Sequence, residues 1–167
     1  MSNDCGINGP EHKIVTTVCP KEPRPSFQTI YMQLAHALAA RSTCSRLHVG
    51  TVITSTDYRK VLAVGYNGNA TGLPNCCDRT EPGNCGCLHS EENAVINCDS
   101  PRSMEKHVFV THLPCFQCSK RLINLGGVKK VFYCSEYRSS ESLKILASVG
   151  IEVERMPLDL KDLAEPG

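Results

Sequence analysis

The alternation of helical and strand patterns in its second half constrains the fold of this chain more than any other feature. The pattern predicts a helix beginning near His89, a strand at 108–111, a helix beginning at Cys115, a strand at 128–133, a helix at 140–148 and a strand at 151–154. Strands that are separated by helices pair in parallel, through right-handed crossovers. The second half therefore predicts three parallel strands, β3 to β5, with helices packed on the sheet.

The first half predicts a helix followed by a β-hairpin. Ser26 is a typical N-cap, and apolar residues recur at helical spacing up to about Arg41. Two runs rich in β-branched residues, at 49–54 and 61–66, are joined by a short polar turn at 55–59, which is typical of an antiparallel pair. We therefore predict an α/β fold with three layers, α/β/α, and a mixed sheet of about five strands in which β1 and β2 form the hairpin.

The length of 167 residues suits one domain. Residues 1–25 contain four prolines and little periodicity, and they predict an N-terminal arm without regular structure. The domain is expected over 26–155, with a C-terminal tail at 156–167. A loop rich in glycine, proline and cysteine covers 67–88.

Charge and hydropathy exclude several classes of function. The 18 basic residues nearly balance the 17 acidic ones, giving a net charge of +1, whereas a nucleic-acid binder usually has a clear basic excess. No signal peptide and no run of ~18 apolar residues is visible, so we expect a cytoplasmic protein without a membrane partner.

Eleven cysteines would stay reduced in the cytoplasm, which favours metal sites over disulfides. Cys98 and Cys134, beside apolar residues, are expected to be core residues.

Two short segments carry the candidate chemistry. His89-Ser90-Glu91 opens one helix, and Pro114-Cys115-Phe116-Gln117-Cys118 opens the next. Cysteines three residues apart in a first helical turn share one face, at the positive end of the helix dipole, which favours thiolates. Both segments lie at the edge of the sheet where α/β folds bind ligands.

One histidine and two cysteines supply three zinc ligands, the number typical of a catalytic site that keeps a position for water. Bound zinc lowers the pKa of such a water toward ~7. Glu91, two residues from His89, can move protons without binding the metal, whereas Glu92 is expected on the helix surface. Each of the two segments alone has other interpretations. The C-x-x-C spacing, for example, also occurs in redox pairs and zinc fingers. Together they match the signature H-x-E…P-C-x-x-C of zinc-dependent deaminases.

Four longer stretches make the chain resemble the deoxycytidylate (dCMP) deaminase family of the cytidine deaminase superfamily. They are RSTCSRLHVGTVI (41–53), VGYNGNATGLPNCC (64–77), LHSEENAV (88–95) and VTHLPCFQCSKRLINLGGVKKVFYCSEY (110–137). The resemblance implies a cytidine-deaminase-like fold and zinc-dependent hydrolysis of dCMP to dUMP and ammonia. It also implies a homo-oligomer, often a hexamer, commonly activated by dCTP and inhibited by dTTP.

The resemblance also implies roles for individual residues. Asn67 and Tyr137 match substrate-contacting positions of the family, and Ser90 replaces the alanine of the usual H-A-E motif at a position facing the base. Some members bind a second, structural zinc, which maps here onto Cys44, Cys76, Cys85 and Cys87, with Cys77 as an alternative ligand. For the phosphate we expect a cation near the hairpin, and Arg46 is preferred because of its position next to β1.

Three alternatives remain open at this point. The substrate could be another cytosine nucleotide, such as a 5-modified dCMP or dCTP. The chain could be a non-catalytic zinc-binding module, although a purely structural site has no use for Glu91. It could also be a C-x-x-C thiol oxidoreductase, which would not carry bound zinc.

Overall fold

A computed structural model of the protein describes residues 24–81, 84–137 and 140–158. The sheet has five strands, and four helices pack on it. The elements, in chain order, are α1 (Phe27–Ala39), β1 (Gly50–Ser55), β2 (Val61–Tyr66), α2 (Ser90–Ile96), β3 (Lys106–His112), α3 (Phe116–Leu125), β4 (Val128–Ser135), α4 (Glu141–Ser148) and β5 (Glu152–Arg155).

The strand order across the sheet is β2-β1-β3-β4-β5. Strand β1 is antiparallel to β2 and also to β3, whereas β3, β4 and β5 are parallel to one another. In the register, Val52 of β1 lies opposite Val64 of β2 and Phe109 of β3. These pairings confirm the predicted hairpin, the predicted parallel strands and the mixed sheet of five strands. The antiparallel pairing of β1 with β3 joins the hairpin to the three parallel strands.

Each face of the sheet is covered by helices, as the three-layer prediction requires. On one face, α1 packs against the sheet in a cluster of Tyr31, Met32, Ala35, Val52, Phe109 and Phe132. On the other face, α2, α3 and α4 contribute to a larger cluster that includes Ala94, Leu122, Leu146, Ile53, Val108, Val110 and Val131. Neighbouring residues of β1 and β3 enter opposite clusters because side chains alternate between the faces of a strand.

The starts of the helices agree with their sequence signals. Ser26 caps α1, and its Oγ accepts a hydrogen bond from the Thr29 N–H at 3.0 Å. His89 is the N-cap of α2 and Cys115 is the N-cap of α3. Both N-caps have extended backbone, so each helix begins directly after the residue that the sequence identifies as a candidate metal ligand.

Most of the predicted arm and tail lies outside the described residues, which begin at residue 24 and end at 158. The first residues of the tail contact the domain: Met156 N–H donates to the Tyr133 carbonyl, and Met156 and Leu158 pack against the α1-side cluster. Cys98 and Cys134 are partly buried against the two clusters, as expected. Within the described ranges, no helix has the length and apolar character needed to cross a bilayer.

Helix α2 lies unusually close to strand β2, and a glycine makes this possible. A Cβ atom added to Gly65 would lie 2.2 Å from the Ser90 carbonyl oxygen and 2.5 Å from the Ala94 nitrogen. The Asn93 side chain ties the same helix to the end of β2 by donating to the Tyr66 carbonyl at 2.8 Å. The position of the His89–Glu91 segment is therefore set by direct contact between backbones.

We expect Gly65→Ala to destabilise the protein by about 1–3 kcal/mol, because the added methyl group must push α2 away from the sheet. Chemical denaturation would measure the loss. Val64→Ala is the matched control, since Val64 is adjacent in β2 and 36% exposed, and it should cost within about 1 kcal/mol. Equal losses for both variants would show that the close approach at Gly65 does not constrain α2.

Candidate active site

Three candidate metal ligands meet where α2 and α3 begin. The Nδ1 atom of His89 lies 3.3 Å from Cys118 Sγ and 3.6 Å from Cys115 Sγ. His89 and Cys115 are half-buried and Cys118 is fully buried. Helix α2 follows β2 through the loop at 67–88, and α3 follows β3. Strands β2 and β3 are both antiparallel to β1, so their carboxyl ends lie at the same edge of the sheet, and residues 26 and 29 positions apart in the sequence come into contact.

The spacing of these atoms fits a tetrahedral zinc ion. Ideal Zn–S and Zn–N bonds place a sulfur and a nitrogen ligand about 3.6 Å apart in tetrahedral geometry. The two observed sulfur–nitrogen distances, 3.3 and 3.6 Å, lie close to that value. Only three protein ligands converge among the described residues, so the donor set matches an open zinc site rather than a closed one.

The electrostatics of the two cysteines also favour a cation. Hydrogen bonding with Cys118, together with the contact to His89, lowers the pKa of the Cys115 thiol to about 3. The pKa of Cys118 is raised by its contact with Cys115 and by burial. The pair thus combines a thiolate with a thiol, and a divalent cation is the partner that allows both to ionise.

Glu91 lies beside the three candidate ligands without joining them. Its side chain is only 4% exposed, and burial raises the pKa of its carboxyl group above the usual range for glutamate. A raised pKa brings the carboxyl group closer to the pH at which it can both accept and release a proton, as an acid and base must. Glu92 forms a salt bridge with Arg121 at 3.1 Å, in agreement with the expected surface position.

A cavity of about 420 Å³ opens over this group of residues. This volume is within the range of small-molecule sites. The walls come from the segment after α1, the loop at 67–88, the start of α2 and the ends of β3 and β4. Its lining includes all four residues that the sequence suggested as substrate contacts: Arg46, Asn67, Ser90 and Tyr137.

Asn67 serves as a structural anchor at the base of the cavity. Its Oδ1 accepts from the Val49 N–H at 2.7 Å, and its Nδ2 donates to the Leu47 carbonyl at 2.7 Å. Immediately after it, Gly68 and Leu88 form a two-way backbone bridge that closes the loop just before His89. Asn67 therefore fixes the segment 47–49 as well as lining the cavity.

The remaining expected contacts differ in their surroundings. Tyr137 is half-buried, and its side chain packs against the larger core cluster. Arg46 is exposed, and its guanidinium group donates to the Thr80 carbonyl. Ser90 is fully buried, and its hydroxyl group contacts Thr51 and Glu91. The side-chain partners of Ser90 are thus protein atoms, a role that the sequence did not predict.

Comparison with known proteins agrees with this geometry. Residues 25–135, more than half of the chain, match the family model described as the cytidine and deoxycytidylate deaminase zinc-binding region. The chain belongs to this family. Family membership agrees with the resemblance seen in the sequence, and the zinc-binding character of the matched region agrees with the His89–Cys115–Cys118 group.

The relatives of this protein include bacterial, fungal and phage proteins. It is 34% identical to ComE operon protein 2 of Bacillus subtilis over 149 residues, which is 81% of this chain and 74% of that protein. It is 35% identical to the deoxycytidylate deaminase of Saccharomyces cerevisiae over 144 residues, 79% of this chain and 45% of the yeast enzyme. The chain thus spans less than half the length of the yeast relative.

A solved structure shares the whole architecture. The dCMP deaminase of the cyanophage S-TIM5, crystallised in complex with dCMP and dUMP, superposes with a TM-score of 0.71 at 35% identity. The match covers 81% of this chain and 100% of that chain. This similarity confirms the predicted cytidine-deaminase-like fold.

A second group of candidate metal ligands lies beside the cavity. Cys44, Cys77, Cys85 and Cys87 bring their sulfur atoms together, with Sγ–Sγ distances of 3.7 Å from Cys44 to Cys77, from Cys44 to Cys85 and from Cys77 to Cys87. Tetrahedral zinc with four cysteine ligands requires sulfur atoms about 3.8 Å apart. Hydrogen bonding from Ser45 lowers the pKa of the Cys77 thiol to about 6, which favours the thiolate form.

The structure differs from the preferred sequence assignment at one member of this group. Cys76 was expected as a ligand, but its side chain is exposed and lies outside the group, where Cys77 takes its place. The reason is a bend at Cys76, whose backbone N–H donates to the Pro74 carbonyl at 2.8 Å. Two cysteines in sequence offered no local signal to decide which of them turns inward.

Sequence reasoning missed further residues of the cavity and its support, notably His112, Glu136 and Thr51. His112 and Glu136 line the cavity at the ends of β3 and β4. Their positions just after buried strands, at the ligand-binding edge of the sheet, could have identified them. Thr51 lies behind Ser90, and its role depends on how β1 packs against α2, which no local pattern reveals.

We expect Asn67→Asp to lower the stability of the ligand-free protein by about 2 kcal/mol or more, because a carboxylate oxygen would replace the N–H that donates to Leu47. Thermal or chemical denaturation would measure the effect. Asn97→Asp is the matched control, since Asn97 donates to the Val64 carbonyl at 3.3 Å from an exposed position. If Asn67→Asp unfolded no more easily than this control, Asn67 would not be a structural anchor.

Proposed function

We propose that this protein catalyses the zinc-dependent hydrolytic deamination of dCMP to dUMP and ammonia. The observation that carries the proposal is the buried carboxyl group of Glu91 beside the candidate ligand set of His89, Cys115 and Cys118. Glu91, His89 and Cys115 line one cavity. A structural metal site would not need this carboxyl group. The similarity to deoxycytidylate deaminases, one of which was crystallised with dCMP and dUMP, supports the choice of substrate.

His89, Cys115 and Cys118 are the proposed zinc ligands. Zinc, when bound, supplies a Lewis acid that makes a water molecule acidic enough to attack at neutral pH. The two cysteines hold the negative charge that retains the cation, and the buried position of Cys118 fixes the start of α3 around it. His89 contributes its Nδ1 from the end of the preceding loop.

Glu91 is the proposed acid and base. Water adds to C4 of the cytosine ring while Glu91 takes a proton from the water and delivers it to N3. The carboxyl group then transfers the remaining proton of the added hydroxyl group to the amino group on C4. The C4–N bond breaks, ammonia leaves, and uracil is the product base. A carboxyl group with a raised pKa suits both directions of transfer, because it is neither a strong acid nor held permanently in the charged form.

Specificity for a nucleotide is assigned to the cavity walls. Arg46 is proposed to contact the 5′-phosphate, since it lines the cavity and lies on the segment that follows α1. Lys120 and Arg121 are less suitable, because Lys120 lies over the Phe116 ring and Arg121 pairs with Glu92. Asn67 and Tyr137, which also line the cavity, are proposed to contact the nucleoside part of the substrate.

We further propose that Cys44, Cys77, Cys85 and Cys87 bind a second, structural zinc ion. The close sulfur–sulfur distances support four ligands in a closed set. The metal would hold the polar loop at 67–88 against the segment after α1, where few apolar contacts are available. Assembly into a homo-oligomer, with a hexamer favoured, control by dCTP and dTTP, and a cytoplasmic location stay predictions from the sequence.

The substrate proposal is tested by measuring ammonia release from dCMP, dCTP, CMP, deoxycytidine and 5-methyl-dCMP, each with and without added dCTP or dTTP. We expect dCMP to be preferred over deoxycytidine in kcat/KM by up to about 10⁴-fold, because a site that pairs with an anion leaves its donors unpaired without it. Equal kcat/KM for these two substrates would refute the nucleotide assignment. Preference for dCTP would identify a different nucleotide.

Glu91→Gln should retain zinc and lower kcat by about 10²–10⁴-fold or more, because the amide cannot exchange protons while the ligands remain. Metal analysis and steady-state kinetics would be measured on the same preparation. Glu92→Gln is the control, since Glu92 pairs with Arg121 at the surface, and it should keep nearly normal turnover. Normal turnover in Glu91→Gln would remove Glu91 from the mechanism.

Two zinc ions per chain are expected in freshly purified protein. Cys77→Ser should lose one of them and lower the melting temperature, because binding of a structural metal contributes to the free energy of folding. Cys76→Ser is a neighbouring control that should retain both ions, since Cys76 lies outside the group. One zinc per chain in the unaltered protein, or loss in Cys76→Ser alone, would contradict this ligand assignment.

A further inference from the structure

Behind the candidate acid and base lies a short chain of buried hydroxyl groups. Thr51 Oγ1 is 2.8 Å from Ser90 Oγ, and Ser90 Oγ donates to Glu91 Oε2 at 3.0 Å. Thr51 and Ser90 are both 0% exposed, and Glu91 is 4% exposed. The three side chains connect strand β1, the first residue of α2 and the cavity.

The direction of these hydrogen bonds follows from their chemistry. An ionised carboxylate only accepts, so the hydrogen of the Ser90 hydroxyl must point to Glu91. The Ser90 oxygen is then left as an acceptor, and the Thr51 hydroxyl donates to it. A hydroxyl group that accepts one hydrogen bond is polarised and donates more strongly to the next acceptor. Thr51 therefore acts on Glu91 only through Ser90.

This arrangement distinguishes the two oxygen atoms of the carboxyl group. Oε2 is occupied by Ser90, and it can still accept that bond when a proton resides on Oε1. The bond to Ser90 therefore persists in both protonation states that a proton carrier must visit. It restrains the rotation of the carboxyl group through Oε2, so Oε1 is the oxygen that the Ser90 hydroxyl group does not engage.

We propose that Ser90 and Thr51 are positioning residues that fix the carboxyl group of Glu91, so that Oε1 is the oxygen that moves protons during deamination. This inference rests on the proposed acid and base role of Glu91 and adds to it. It also gives a physical reason for serine in place of the alanine of the usual H-A-E motif. Orientation of a reacting group to within about 1 Å affects rates by up to about 10²-fold, so such a support bears on turnover.

The kinetic test uses Ser90→Ala and Thr51→Val, which remove the two hydroxyl groups with little change in shape. Loss of a hydrogen bond to a charged group predicts a fall in kcat of about tenfold or more for Ser90→Ala, and a smaller fall for Thr51→Val. KM for dCMP and zinc content should stay within about twofold of the parent, because the metal ligands are unchanged and the Ser90 hydroxyl group, although Ser90 lines the cavity, is bonded to Thr51 and Glu91. Loss confined to KM or to zinc content would overturn the proposal.

Thr54→Val provides a matched control on the same strand. Thr54 is also fully buried in β1, but its Oγ1 has no hydrogen-bond partner among the described residues, and it faces the α1 side of the sheet. The variant should keep the parent kcat and melt no lower than the parent. If Thr54→Val lowered kcat as much as Thr51→Val does, the effect would come from replacing a buried threonine of β1 and not from losing the hydrogen bond to Ser90. That result would overturn the proposal.

The double variant Thr51→Val/Ser90→Ala tests whether Thr51 acts through Ser90. Once Ser90 lacks its hydroxyl group, removal of the Thr51 hydroxyl should cause no further fall in kcat. The decrease in its melting temperature should be smaller than the sum of the two single decreases by about 2 °C or more, because the single Ser90→Ala variant leaves a buried Thr51 hydroxyl unpaired. Strictly additive effects on kcat and on melting temperature would overturn the proposed chain of hydroxyl groups.

Melting temperatures also separate this inference from the proposed function. Coupling between Ser90 and Glu91 is measured by comparing Ser90→Ala, Glu91→Leu, which removes both acceptor oxygens, and their double variant in the absence of substrate. Non-additive melting temperatures, together with a parent protein that deaminates none of the nucleotides, would overturn the proposed function and leave the hydrogen-bonded chain standing. Additive values would overturn the chain even in an active enzyme.

Discussion

Helix α2 approaches strand β2 so closely that a methyl group on Gly65 would lie 2.2 Å from the Ser90 carbonyl oxygen. Because backbone meets backbone there, the start of α2 has almost no freedom to shift relative to the sheet. The start of α2 consists of His89, Ser90 and Glu91, so the positions of these residues are fixed as well. The cysteines of α3 reach the same point because β3 and β4 are parallel neighbours and the helix between them begins at the same edge. The candidate metal centre thus depends on this contact.

Burial gives the site its chemical character. Near the surface Glu91 would be an ordinary ionised carboxylate, but in the interior its charged form is penalised and its pKa rises. A buried carboxyl group needs a hydrogen-bond partner, and the Ser90 hydroxyl group supplies one, with the Thr51 hydroxyl group bonded behind it. The same contacts therefore satisfy a structural requirement and leave one carboxyl oxygen for proton transfer.

The loop at 67–88 illustrates a different way of forming a cavity wall. It contributes little apolar surface to the core, and its ends are joined by the backbone bridge between Gly68 and Leu88. Asn67 anchors it to the backbone of Leu47 and Val49, and the group of four cysteines holds its middle beside Cys44. Cys44, Cys85 and Cys87 also line the cavity, so the elements that keep the loop in place border the substrate region directly.

The sequence by itself determined the element types and the parallel second half, and it indicated the candidate ligand set His89, Cys115 and Cys118, because periodicity and motif spacing can be read along the chain. It also indicated Glu91, since its offset from His89 is fixed along one helix start. Only the tertiary structure decided between Cys76 and Cys77, because the outcome depends on the bend at Cys76. Likewise, Thr51 is 39 residues from Ser90, and its contact exists only because β1 packs against α2. Contacts between distant segments follow from packing, which no local pattern encodes.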